Sequence, residues 1–153
     1  MCRGRRSNAR TIFEEELETP DESLEISINA LTGNVGHSTL RIQGTIKGKP
    51  VSVLIDSGST HNFVTPRLAK EGVELVHTSP LAITVVNGER LYSTAKCRQL
   101  EWMIQGNSFV HDLRVLQMGG SDMVLGVDWM KRYSPLVFDF NEMTVFFKRR
   151  QTG

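Results

Sequence analysis

The chain has 153 residues, 39% hydrophobic and 23% charged, with a formal net charge of +1. That is enough for one domain with a real core, and it speaks against a disordered chain, a membrane protein or a dedicated nucleic-acid binder. No apolar run approaches the roughly 20 residues of a membrane span. The start Met1-Cys2-Arg3-Gly4-Arg5-Arg6 is basic with no apolar stretch behind it, so secretion is not expected. Cys2 and Cys97 are the only cysteines, one in an expected tail and one in an expected strand. A structural disulfide is therefore not expected, and a reducing, cytoplasmic compartment fits. No Cys/His cluster has metal-ligand spacing, so no metal site is expected.

Residues 1–24 read as a flexible linker or tail. Arginines come first, then the acidic run Glu14-Glu15-Glu16, with Pro20 ending any short helix there. The folded domain is expected over 25–149, with a C-terminal tail at 150–153. In residues 38–46, Leu40, Ile42 and Ile46 alternate with polar neighbours, the period of a half-buried strand. Lys47-Gly48-Lys49-Pro50 turns the chain, and 51–55 returns as an apolar run rich in β-branched residues. Residues 38–55 thus predict a β-hairpin with Asp56 where its second arm ends.

Asn62-Phe63-Val64 is short and strand-like. Thr65-Pro66 predicts an N-cap followed by proline at the first helical position, opening a helix over 66–70. Leu75-Val76 predicts another short strand, and Pro80 the start of a separate element. Residues 81–92 form a second predicted hairpin around Asn87-Gly88, with both turn residues at positive φ. Strands are predicted over 95–104 and 108–116, with Trp102 and Phe109 in the core. Residues 123–125 predict a strand that Gly126 ends, and 127–133 a short helix stopped before Pro135. A last hairpin spans 136–147. Many short strands without strand–helix alternation predict an all-β barrel or sandwich with one or two short helices.

The chemistry gathers at Asp56-Ser57-Gly58-Ser59-Thr60. A carboxylate at the end of a buried strand is costly unless it has partners or a task. Gly58 permits a tight turn, and the hydroxyls of Ser57, Ser59 and Thr60 can hold a carboxylate. The tripeptide alone is a weak signal, expected by chance at roughly the few-per-cent level in such a chain. Its context is more specific. An Asn-Gly hairpin follows it, and then a second apolar strand ending in Leu125-Gly126 and entering a helix.

In that order the sequence resembles the retropepsin-like aspartic proteases, especially those of Ty3/gypsy-type, plant-like retrotransposon polyproteins. The residues carrying the resemblance are Val53-Leu54-Ile55-Asp56-Ser57-Gly58-Ser59-Thr60-His61-Asn62-Phe63, Val85-Val86-Asn87-Gly88, Val124-Leu125-Gly126-Val127-Asp128-Trp129-Met130 and Val137-Phe138-Asp139-Phe140. The likeness covers about residues 26–148. It implies a retropepsin-like acid protease barrel and peptide hydrolysis by two carboxylates sharing one proton, since like charges that close cannot both ionise. Asp56 would be catalytic. Ser57, Gly58, Ser59 and Thr60 would form the active-site loop, with Ser57 and Ser59 orienting the paired loops. Serine stands at 57 and 59 where the family more often has threonine and alanine. Val86, Asn87 and Gly88 would be the flap over substrate, and Leu125 and Gly126 a structural second loop.

The chain holds one such Asp-Ser-Gly, so the second carboxylate would come from a second copy in a C2 homodimer. Strand pairing by residues 143–147 is one expected interface among others. The resemblance further implies a polypeptide substrate, its own polyprotein, and a cytoplasmic place, including within virus-like particles. No cofactor, membrane or nucleic-acid partner is implied for this domain. His61 is read as a surface or packing residue, Asp128 as a structural carboxylate and Trp129 as core. Two alternatives stand beside this reading. One is a catalytically silent dimerisation module of the same fold. The other is an unrelated β-barrel binding domain, monomeric, with Asp56 in a structural turn.

Overall fold

The computed structural model describes residues 24–32, 39–85 and 87–147. Most of the expected tail 1–24, the tail 150–153 and Val86 lie outside the described residues. Ten strands run in the order β1 (Leu24–Ile26), β2 (Thr39–Ile46), β3 (Lys49–Asp56), β4 (Phe63–Val64), β5 (Glu74–Val85), β6 (Arg90–Ile104), β7 (Asn107–Val115), β8 (Met123–Leu125), β9 (Leu136–Asp139) and β10 (Thr144–Phe147). Helices α1 (Ile28–Thr32), α2 (Pro66–Ala69) and α3 (Val127–Tyr133) are short.

Eight strands form one sheet in the order β1-β5-β6-β2-β3-β8-β4-β7, and β6 also pairs with β7. That extra pairing closes β6, β2, β3, β8, β4 and β7 into a ring, while β5 and β1 extend from it as a flange. Closure removes edges that would otherwise template aggregation. β9 and β10 make a separate two-stranded ribbon. The fold is the expected all-β barrel with a few short helices.

β3 shows why its sequence reads as an unbroken apolar run. Val53 and Ile55 pack into the main core with Leu40, Trp102 and Leu125. Leu54 points the other way, into a second cluster with Ile26, Phe63, Ile83 and Val124. β8, parallel to β3, splits the same way. Both strands are buried on both faces, so alternation is lost. Asp56, two residues after Leu54, emerges on the side of the second cluster, where β1 lies.

Three local expectations need correction. Leu75-Val76 and the element after Pro80 are one strand, β5, whose pairing with β6 shifts register between His77 and Leu81. Pro80 sits inside that irregularity, where a missing N–H is tolerated. Thr65 does start α2, but its side chain makes no cap hydrogen bond; its carbonyl accepts from Leu68 and Ala69. Helix α1 brings the described helices to three, against the one or two expected. At 5 residues it is too short to display a helical period. The core expectations hold: Trp102, Phe109 and Trp129 are buried. Cys97 is free and buried, and its thiol is pushed up to about 11, chiefly by desolvation.

Candidate active site

Asp56 is 1% exposed, yet every feature around it holds its carboxylate. The backbone N–H of Gly58 donates to Oδ1 at 2.8 Å, the side chain bonding its own backbone two residues on. Oδ2 accepts from the Ser59 hydroxyl at 3.4 Å and from the Ser27 hydroxyl in a shorter contact. Ser59 is fully buried, and its Oγ also accepts from the Ser27 N–H at 3.2 Å. Ser57 stands apart from this cradle. It is exposed, beside Met130, Phe138 and Phe140. Holding Asp56 within this chain thus falls to Gly58, Ser59 and Ser27, not to Ser57.

The loop is fixed from beneath by the second apolar strand and its helix. The N–H groups of Val127 and Asp128, at the start of α3, donate to the carbonyls of Ser59 and Thr60 at 2.8 and 3.0 Å. Those amides have no partner inside a helix, so the loop carbonyls satisfy them. Gly126 makes the crossing possible. A Cβ there would lie 2.5 Å from the His61 carbonyl oxygen and closer still to that of Ser59. Asn62, 4% exposed, locks the same crossing. Its Oδ1 accepts from the Gly126 N–H at 3.0 Å, and its Nδ2 donates to Asp128 at 3.4 Å. Asp128 also meets Arg132 one turn on, a structural role as expected.

Thr60 binds the chain's first strand rather than the carboxylate. Its N–H donates to the Glu25 carbonyl at 3.0 Å, and its Oγ1 accepts from the Glu25 N–H at 2.8 Å. His61 meets the Thr60 hydroxyl through Nδ1 at 2.8 Å.

At the hairpin tip, Gly88 has φ 95°, but Asn87 does not share the positive φ expected of a two-residue turn. The Gly88 N–H donates to the Val85 carbonyl, and the Val85 N–H to that of Glu89, both at 2.8 Å. An i→i+3 turn followed by a left-handed glycine is the three-residue hairpin loop, which asks positive φ of one residue only. The Asn87 Oδ1 accepts from Glu89 N–H at 2.9 Å, steadying the turn. Val86 lies outside the described residues.

Among the described residues no group of three or more His, Cys, Asp or Glu side chains could hold a metal ion. The arrangement offers one buried carboxylate with a fixed orientation, able to exchange a proton with a water or a second acid. Two contributors escaped the sequence reading. Ser27 caps α1, its Oγ accepting from Ala30 N–H at 3.1 Å, but a 5-residue helix gives no period to reveal a cap. Asn62 reads in the sequence as the start of a short strand, not as a lock on the loop, because its partner Gly126 lies 64 residues on.

The structure is similar to that of the retroviral protease-like domain of Ddi1 from Leishmania major, with a TM-score of 0.52 and 16% identity. The match covers 75% of this chain and 92% of that one. At this identity the likeness speaks for fold alone. None of the curated proteins compared with it matches. The family described as retroviral aspartyl protease matches residues 26–152, with Asp56, the hairpin tip and Gly126 all inside the span. The chain belongs to the retroviral aspartyl protease family.

Proposed function

We propose that the chain is one subunit of a homodimeric aspartic endopeptidase that processes a retrotransposon polyprotein containing it, in the cytoplasm or within virus-like particles. Asp56 of each copy would meet across a twofold axis. The ionised member takes a proton from water as it attacks the scissile carbonyl, and the protonated member supports the developing oxyanion. The observation that carries this reading is a buried carboxylate, held by a backbone N–H and two hydroxyls in a loop that packing fixes. A turn with no chemical task does not require an aspartate at such cost.

An apolar surface beside the loop supports a second copy as the partner. Val137, Phe140 and Phe146 of the β9–β10 ribbon are 64%, 54% and 58% exposed, and exposed Ser57 adjoins Phe140. Such a patch is unusual for a surface meant only for water. The outer edge of β10 is engaged at its centre, where the Gln105 side chain bonds both N–H and C=O of Val145 at 3.0 and 2.7 Å. Strand addition across the dimer would therefore use β9 in preference to residues 143–147.

The expected outcome of Asp56→Asn is a folded, self-associating protein with no measurable hydrolysis of extended apolar peptides between acidic and neutral pH. Sedimentation reads the association and a quenched-fluorescence peptide assay the hydrolysis. Peptidase activity retained in Asp56→Asn sinks the proposal. One observation favours the silent-module alternative: Ser27 covers the carboxylate. That reading predicts a wild-type dimer as inert as the variant.

A further inference from the structure

A three-residue strand at the edge of the sheet lies beside the active-site loop. β1 pairs in parallel with the end of β5, Leu24 opposite Ile83 and Ile26 opposite Val85, just before the hairpin tip. Its other edge is bonded to the active-site loop. Both polar backbone groups of Glu25 meet Thr60, and the Ser27 N–H meets Ser59. Successive residues of a strand offer their polar groups to opposite edges. Residues 24–27 therefore lie as an extended strand between the hairpin and the Asp56 loop, bonded on both sides. Leu24 and Ile26 are buried, while Glu25 between them is exposed. At the end of the strand the Ser27 hydroxyl sits on Asp56 Oδ2, where an attacking water would need to bind.

Resting on the reading of Asp56 as catalytic, we infer that residues 24–27 occupy a peptide-binding groove between the hairpin and the Asp56 loop, as a tethered strand that keeps the carboxylate closed until it is displaced. The contacts that hold the strand are main-chain ones to a hairpin edge, the mode by which an extended peptide adds to a sheet. The groove then takes peptides with aliphatic side chains at the two positions matching Leu24 and Ile26 and a small residue at the carboxylate. Any such peptide competes with the chain's own segment, so its apparent affinity falls by the fraction of molecules in which the segment is displaced.

Glu25→Pro in the full chain removes the N–H that Thr60 accepts. It leaves the buried Leu24 and Ile26 in place. The probes are a fluorescein-labelled peptide of this chain's residues 22–30 and a labelled statine peptide, both read by anisotropy. Glu25→Pro is expected to bind the self-peptide at least tenfold more tightly than wild type. Equal affinity, or no binding by the variant, overturns the inference. Hydrogen exchange on the unmutated chain gives a second reading that does not depend on the variant folding. Saturating statine peptide is expected to deprotect the amides of Glu25 and Ser27. Continued protection with the ligand bound shows an integral strand and overturns the inference. If no statine peptide binds while the self-peptide result holds, the protease reading fails and the tethered-strand inference stands.

Discussion

Gly126 and Gly88 sit at opposite limits of packing. A Cβ at Gly126 would overlap two backbone carbonyl oxygens, those of Ser59 and His61. A Cβ at Gly88 would meet nothing within 4 Å, and only its φ of 95° disfavours a side chain. The first glycine lets a helix start press against the loop that carries Asp56. The second lets a hairpin turn in open solvent. One residue type thus serves a tightly packed crossing and an open turn. An orientation-sensitive carboxylate needs the first kind of support. A hairpin that opens and closes over a peptide needs the second, because low contact density makes local opening cheap.

The largest effect should come from the rigid side. Gly126→Ala forces a methyl into backbone oxygens that cannot retreat without separating α3 from the loop. Destabilisation above about 4 kcal/mol is expected, the range of severe core disruption. Urea unfolding measures it, and a cooperative transition within about 1 kcal/mol of wild type would contradict the packing described. Asn62→Leu is next. It keeps the branched shape but leaves the buried Gly126 N–H without its acceptor, which costs about 1–3 kcal/mol. If the unfolding midpoint does not shift, water or a moved carbonyl has replaced Asn62, and the loop is less tightly fixed than its glycine implies.

How much of this contrast the sequence disclosed depends on the range of the interactions. The hairpins of β2–β3, β5–β6 and β9–β10 were legible because turn chemistry and alternation act between near neighbours. Asp56 was legible because a carboxylate after Val-Leu-Ile violates the pattern of its own strand. The close approach at Gly126 was not, since it depends on carbonyls 65 and 67 residues earlier in the chain. Ser27 was hidden for the same reason: its contact with Asp56 spans 29 residues, and α1 is too short to announce its cap. Thr60 was read correctly as part of the loop but given the wrong partner. Which of three neighbouring hydroxyls faces a carboxylate follows from loop geometry, which composition does not contain.

At the hairpin tip, Gly88→Ala should separate stability from turnover. Holding alanine at positive φ costs roughly 1 kcal/mol. Because a side chain at Gly88 meets nothing within 4 Å, that cost falls on the turn itself and shifts global unfolding little. Peptide hydrolysis should fall more than the unfolding midpoint does. If stability drops by several kcal/mol instead, the hairpin belongs to the rigid body and the contrast collapses.

The smallest expected effect tests whether the pH response of the fold belongs to the site at all. His111 belongs to the aromatic cluster, its Nε2 2.6 Å from the Tyr133 hydroxyl and its ring beside Trp102. Burial, followed by the nearby Arg132 charge, lowers its pKa; Asp128 and Asp112 oppose the shift more weakly. The folded state therefore binds this proton less readily than the unfolded chain. The stabilisation is fully present above the unfolded value of about 6.5 and is lost as pH falls towards the lower folded value. Wild type should accordingly lose stability between pH 7 and 5, and His111→Gln should show a shallower loss over that interval in urea titrations. The pH dependence of peptide hydrolysis should keep its shape in the same variant, since the residue touches neither the Asp56 loop nor the hairpin tip. A hydrolysis profile that moves with His111→Gln would couple the aromatic cluster to the carboxylate and blur the boundary between the two regions.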